Sequence, residues 1–513
     1  MRRLSPLDAA WLLLESRDTP MHVGALFEFT KPPGAGAGFL SETLKGMREE
    51  RAVPAPWNLK LVEGPLVGPR LPLMREEKDV DLDHHVRHSA LPHPGGQREL
   101  GILVSRLHSN QLDLHKPLWE MHLVEGLERN RFAIYMKMHH SLIDGVSGIR
   151  MILRTLSPDP EKRGMGAFWT VGAGKRRHRD EQAPARGPLD ALFATAVEGA
   201  GAAIALGRAG VELGKASLDD GGLSAPYRSP DSALGGQLGG QRRFATQQYD
   251  LELIKDLARA ADCTLNDMVL YLSSAALRRY LGEHGTIPDR SLTAGVPVNL
   301  READDESTGN AIGMLVAELG TNIADPLERI AAIKASTAEA KRHQSELPPA
   351  ARTSYTLLLN GPYIAGLIAG LGGNAPVPFS VGISNVPGPS ETLYFNGAKL
   401  DALFPLSLLL HGNALNITCL SSAGKLNFGF TGARDTLPHL QRLALYMGDS
   451  LDEITKTLLP KRKRTRKARR AKRTASSNGG NKARAPRKPA RASKPKPKAK
   501  GSGAGARASK SSG

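Results

Sequence analysis

From Met21 to Phe29 the run MHVGALFEF alternates loosely between apolar and other positions, as a strand does, and PPGAGAG at 32–38 then punctuates it as a loop. A helix is predicted over Leu40 to Arg51. Further on, WEMHLVE (119–125) and FAIYMKMHH (132–140) predict two strands separated by GLERNR, and VSGIRMILRTL (146–156) predicts the helix that follows them. The stretch DLELIKDLARAADCTLNDMVLYLSSAALRRYL (250–281) carries apolar residues at three- and four-residue spacing and predicts two helices. Strand-like runs return at Leu292–Val298, Ser380–Val386 and Asn416–Ser421. Strands and helices interleave, so the class is α/β or α+β.

Between these patterned stretches the sequence loosens. Residues 157–245 are rich in Pro, Gly, Arg and Lys around one Ala- and Gly-rich helical segment, Leu189–Lys215. The implied organisation is an N-terminal domain over 1–156, a crossover over 157–245, a second domain over 246–460 and a tail over 461–513. The tail has no aromatic or large aliphatic residue with which to offset the entropy of ordering, and is expected to be disordered. The most apolar stretches, LFATAVEGAGAAIALG and YIAGLIAGLGG, fall short of the ~20 apolar residues that span a bilayer. The start, MRRLSPLDAAWLLLES, is broken by Asp8 and Glu15, too early for a signal peptide. Both readings imply a cytoplasmic protein whose membrane contact is peripheral.

Charge sharpens this division. The chain of 513 residues has 69 Lys and Arg against 51 Asp and Glu, a net charge of +18. The last 53 residues hold 21 of the basic side chains and none of the acidic ones, which leaves 48 against 51 in the first 460. The body is therefore near neutral, and the tail is the part suited to phosphates. It could meet an anionic membrane or lipid-droplet surface, at about 1 kcal/mol per basic residue, or nucleic acid. Two cysteines, Cys263 and Cys419, are too few for a disulfide framework and are expected to be buried small hydrophobes.

The candidate chemistry lies in MKMHHSLIDGVSG, residues 136–148. Strand alternation over 132–140 puts Phe132, Ile134, Met136, Met138 and His140 on one side, and Ala133, Tyr135, Lys137 and His139 on the other. The two histidines then point apart, and no Cys or third spaced His completes a zinc set, so no metal site is expected. His140, at the end of the apolar face, would be held neutral by burial, as a general base requires. Asp144 can orient the loop or the ring, or cap the helix beginning near Val146.

HHSLIDG fits the HHxxxDG signature of the superfamily that includes chloramphenicol acetyltransferase, carnitine acyltransferases and peptide-synthetase condensation domains. With LSPLDAAWLLLESRDTPMHVGALFEF, KPLWEMHLVEGL, LNDMVLYLSSAALRRYL and SNVPGP, residues 4–459 resemble the bacterial wax ester synthase/diacylglycerol acyltransferase family. PVNLR (297–301) and Gly309-Asn310 also fall where that family has similar residues. The resemblance implies two chloramphenicol-acetyltransferase-like domains, each a mixed sheet flanked by helices, with an active-site tunnel between them. It implies an acyl-CoA and a hydrophobic alcohol, diacylglycerol or fatty alcohol, as substrates, with no cofactor and no acyl-enzyme. It makes His140 the base, His139 its motif neighbour and Asp144 a structural partner.

Asn266, in the family's Asn-Asp motif, becomes a candidate donor to the oxyanion or else a helix cap. Gly145 and the Pro117-Leu118-Trp119 run become candidate substrate-binding residues, the run as a shaper of the acyl tunnel, with Trp119 favoured as a core anchor. Two rival readings stand beside this one: an acyltransferase or condensation enzyme on a carrier-bound or polar acceptor, and a catalytically silent tether of lipid inclusions to DNA. The lack of an obvious carrier domain and the intact HHSLIDG argue against them.

Overall fold

A computed structural model describes residues 2–4, 6–62, 72–172, 226–299, 312–346, 349–374 and 376–460. The Ala-rich segment 189–215, the tail, the end of PVNLR and Gly309-Asn310 lie outside them. The first part of the chain forms β1 (Arg2–Arg3), α1 (Pro6–Leu14), β2 (His22–Thr30), α2 (Phe39–Glu49), β3 (Leu59–Leu61), β4 (Leu73–Glu76), α3 (Leu82–His85), β5 (Val86–Ala90), α4 (Gln97–Ser109), β6 (Trp119–Leu127), β7 (Arg131–His139) and α5 (Gly145–Leu153). The second part forms β8 (Arg242–Asp250), α6 (Leu251–Ala260), α7 (Leu265–His284), β9 (Thr293–Asn299), β10 (Ile312–Glu318), α8 (Pro326–Glu346), α9 (Pro349–Ile368), β11 (Val381–Val386), β12 (Tyr394–Phe395), β13 (Ala398–Leu406), β14 (Leu415–Ser422), β15 (Lys425–Ala433) and α10 (Leu440–Leu458). Among the described residues no helix is long and apolar enough to cross a membrane.

Two mixed six-stranded sheets organise these elements. One has the order β12-β13-β2-β7-β6-β5, the other β10-β9-β11-β14-β15-β8, and a small third sheet is β1-β4-β3. Each large sheet buries its own apolar cluster. The first gathers Phe27, Phe29, Trp119, Phe132, Ile134, Met136 and Phe168. The second packs Phe428, Phe430, Ile383 and Ile417 against Met268, Leu272 and Tyr271 of α7 and Leu443 and Met447 of α10.

The chain does not deal its strands to the sheets in sequence order. β13 pairs antiparallel with β2, so that Thr30 meets Lys399 and Gly24 meets Leu406, and β12 extends that edge. β8 begins at Arg242, inside the stretch whose composition suggested a crossover, and closes the edge of the second sheet against β15. Phe244 of β8 packs with Leu100 and Val104 of α4 and Phe404 of β13, and its N–H donates to Ser105 Oγ at 2.9 Å. The sheets approach closely at Gly429 of β15, where an added Cβ would sit 1.9 Å from the Pro405 carbonyl oxygen of β13. Glycine is required there for want of room.

Candidate active site

β7 ends at His139, one residue earlier than the alternation suggested, and His140 lies in the turn that follows. Both backbone positions are fixed. The His139 N–H donates to Leu118 O at 2.9 Å and the His140 N–H to Met21 O at 2.8 Å. Strand alternation thus ceases to govern His140, and what positions its side chain is α1. The His140 ring lies 4.2 Å from the Trp11 ring, centroid to centroid and tilted by 35°. His139, 1% exposed, turns to Glu15, whose carboxylate is 3.4 Å from His139 Nε2. Trp11 and Glu15 are four apart, one helical turn, so one face of α1 and the residue just beyond it serves both histidines.

The proton positions follow from the partners. His139 Nδ1 accepts from the Ser141 backbone N–H at 3.1 Å, which puts the proton of a neutral ring on Nε2, 3.4 Å from the Glu15 carboxylate but without a hydrogen bond to it. Ser141 Oγ lies 2.7 Å from the same Nδ1. The Glu15 carboxylate also accepts from the Met21 N–H and from Gln111 Nε2. It therefore holds the loop whose Met21 carbonyl grips His140. His140 Nδ1 is buried with no hydrogen-bond partner among the described residues. Burial, and next the adjacent His139, lower the His140 pKa to about 4 against the opposing pull of Asp144. The ring is neutral over the whole physiological range.

Asp144 caps α5: Oδ1 accepts from the Ser147 N–H at 2.9 Å and Oδ2 from Ser147 Oγ at 2.7 Å. Such a cap contributes about 1 kcal/mol and fixes the start of the helix that follows the histidines. Gly145 opens α5 with space around it, since an added Cβ would meet only Val23 at 3.9 Å. Pro117, Leu118 and Trp119 are buried. Trp119 donates from Nε1 to Trp57 O at 2.7 Å and packs on Trp57, Trp169 and His85, as a core anchor does.

Asn266 occupies the second position of α7. The cap there is Thr264, in a box closed by Asp267, whose carboxylate also accepts from Thr337 Oγ1 at 2.7 Å. Asn266 is thus not the cap, and among the described residues no hydrogen bond or ring contact joins it to His140. Cys419 is buried as expected, whereas Cys263 is only half-buried.

The second face of β7 also departs from a solvated one. Lys137, 1% exposed, donates to Asn110 O at 2.6 Å and pairs with Glu120 at 3.3 Å. Burial lowers the lysine pKa, with Glu120 opposing. Burial pushes the Glu120 carboxyl upward, but His122, Lys137 and Arg87 outweigh it and hold it at about 2. Beside them His22 Nε2 meets His108 O at 2.9 Å, and His108 Nδ1 meets Tyr135 Oη at 2.9 Å. This polar layer under α4 backs the strand that carries the histidines. Trp11 and Glu15 are the site residues that motif reasoning passed over. The signal lay in DAAWLLLES, where Asp8, Trp11 and Glu15 share one helical face.

Comparison with known proteins bears on this geometry. The family model described as wax ester synthase/diacylglycerol acyltransferase catalytic domain matches residues 4–269, and the WS/DGAT C-terminal domain matches 308–455. A Mycobacterium tuberculosis protein provisionally named a diacylglycerol O-acyltransferase is 41% identical, over 88% of this chain and 97% of its own. The O-acyltransferase WSD of Acinetobacter baylyi is 38% identical, over 88% and 96%. Among solved structures, the wax ester synthase/diacylglycerol acyltransferase from Marinobacter aquaeolei VT8 superimposes with a TM-score of 0.71 at 35% identity, covering 89% of this chain and all of that one. The first condensation domain of the calcium-dependent antibiotic synthetase shares the fold at a TM-score of 0.55 and 15% identity, over 89% of this chain and 95% of that one.

Proposed function

This chain belongs to the wax ester synthase/diacylglycerol acyltransferase family and is an acyl-CoA-dependent O-acyltransferase; we propose that it esterifies the hydroxyl of diacylglycerol, of a long-chain alcohol, or of both, with His140 as general base. The observation that carries the role of His140 is its setting: a neutral, largely buried ring, gripped through its backbone by Met21 and covered by Trp11. Nδ1 is buried without a hydrogen-bond partner among the described residues, and Nε2 is taken as the basic nitrogen.

In the proposed reaction the alcohol O–H donates to His140 Nε2. The oxygen attacks the thioester carbonyl carbon as its proton passes to the imidazole, a contribution typically of about 10²- to 10⁴-fold. The tetrahedral intermediate then re-forms its C=O bond and expels the CoA thiolate, which takes the proton back from His140. Asp144 holds the turn through its cap on α5, and His139 with Glu15 ties that turn to α1. Asn266 is proposed as a donor to the developing oxyanion from the N-terminal turn of α7. Gly145 leaves room at the mouth of α5, and the PLW run is assigned to packing rather than to substrate.

The experiment is release of free CoA from palmitoyl-CoA by the full chain with diacylglycerol, hexadecanol or no acceptor, beside His140→Ala. Acceptor-dependent release that falls by at least about 10²-fold in the variant supports the reading and ranks the two alcohols. Release confined to a carrier-bound or polar acceptor would overturn it.

The tail is proposed to hold the protein on an anionic membrane or lipid-droplet surface. What supports this is 21 basic side chains without an acidic one and the lipid substrates proposed for the body. Sedimentation with phosphatidylserine vesicles should be lost when residues 461–513 are removed. Retention of duplex DNA in place of vesicles would transfer the tail to nucleic acid.

A further inference from the structure

The chain has four tryptophans, and three of their indole N–H groups are satisfied by backbone carbonyls. Trp57 donates to Val171 O at 2.9 Å, Trp119 to Trp57 O at 2.7 Å and Trp169 to Glu50 O at 3.1 Å. The fourth, Trp11 Nε1, is shut off from water and has no acceptor among the described residues. A buried donor left unmade costs about 1–3 kcal/mol, and this one belongs to the ring that lies against His140. An indole nitrogen can only donate. An oxygen that arrives with a ligand at His140 would supply the acceptor that the described residues do not.

We propose that the Trp11 N–H donates to the carbonyl oxygen of the reacting thioester and stabilises the oxyanion that forms there. The inference rests on the acyl-transfer reading and adds a donor to that reaction beside Asn266. The alcohol oxygen lies about 3 Å from His140 Nε2 and the carbonyl carbon about 3 Å further on, so the carbonyl oxygen falls roughly 4–6 Å from the imidazole. The Trp11 ring, tilted against the imidazole at 4.2 Å between centroids, borders that region.

Two oxygens are present in such a complex, and chemistry chooses between them. A donor to the alcohol oxygen would withdraw the lone pair that must attack. A donor to the carbonyl oxygen strengthens as the C=O pair moves onto oxygen and the new C–O bond forms. It relaxes when C=O re-forms and the C–S pair leaves with CoA. The face of the same ring lies against the imidazole and favours the imidazolium that exists over that interval.

The test uses full-length Trp11→Phe, which keeps an aromatic plate and removes the N–H, with palmitoyl-CoA and the better acceptor. Expected is a fall in kcat of about 10²-fold, with KM for palmitoyl-CoA and the thermal midpoint close to wild type and an unchanged acid limb of the pH profile. If Phe does not fold, benzothienylalanine at position 11, in which sulfur replaces N–H at nearly constant shape, gives the same readout. A kcat within about threefold of wild type in either variant, beside an inactive His140→Ala, overturns the inference and leaves the general-base reading intact. A KM increase at unchanged kcat, or a lowered midpoint that accounts for the loss, assigns Trp11 to packing and likewise overturns it. Wild-type protein without acceptor-dependent release removes the acyl-transfer reading and this inference together.

Discussion

Three histidines of the N-terminal half, His22, His85 and His108, are buried at 3% exposure or less, and their burial should make the fold acid-labile well above the carboxylate range. Desolvation is the leading cause in each. His22 is lowered well below its ordinary value, His85 to about 4 and His108 to about 3, although backbone contacts pull each upward. In the unfolded chain these groups take up protons from about pH 6.5. A lowered folded pKa means that the unfolded state binds more protons below that pH, so stability falls as pH falls, by about 1.4 kcal/mol per unit and per group. Between pH 6.5 and 5, with the slope building up as the unfolded histidines titrate, the three together remove about 5 kcal/mol, comparable with the whole stability of many domains. Glu28, whose carboxyl burial pushes up, protonates earlier in the folded protein and returns part of this toward the acid end. Urea unfolding followed by tryptophan fluorescence at pH 7, 6, 5.5 and 5 measures the slope. His85→Phe should reduce it by about 1.4 kcal/mol per unit. Stability that is level or rises from pH 6.5 to 5 would refute the burial of neutral imidazoles on which the account rests.

Two further outcomes are expected. Glu15→Ala removes the acceptor for the Met21 N–H and the partner of His139; it should lower unfolding free energy by about 1.5–3 kcal/mol and reduce kcat for CoA release more than it raises KM, and an unchanged kcat would detach Glu15 from the positioning of His140. Gly429→Ala places a Cβ against the Pro405 carbonyl and should cost about 3 kcal/mol or more, seen as a lower thermal midpoint; wild-type melting would show that the sheets have room to separate.

Much of this was legible before the structure. The runs at 22–30, 119–127 and 131–139 announce themselves by β-rich apolar composition, and the helices at 251–260 and 265–284 by their spacing, because each is a local pattern with a fixed period. HHSLIDG singled out His140 in the same way. Alternation does not extend to His140 at the end of β7, since a strand that stops at His139 cannot govern the residue after it. The roles of Trp11 and Glu15 need α1 folded against a turn more than a hundred residues away, and no period in the sequence encodes that contact. Lys137 read as a second-face residue, but that the face is covered depends on the Leu107 and Asn110 carbonyls of α4 and its end. The passage of 394–406 into the first sheet was likewise hidden. Both sheets want the same kind of apolar strand, and only register against β2 distinguishes them.

That exchange of strands sets an order of events on the ribosome. The hydrogen bond from Thr30 to Asp401 joins positions 371 apart, so the outer edge of β2 has no partner until nearly the whole body has been made. At synthesis rates of about 5–20 residues per second, this apolar edge waits roughly 20–70 s. An unpaired edge held open for that long invites pairing with another nascent chain. The protein's yield should therefore respond to chaperone supply and to translation speed.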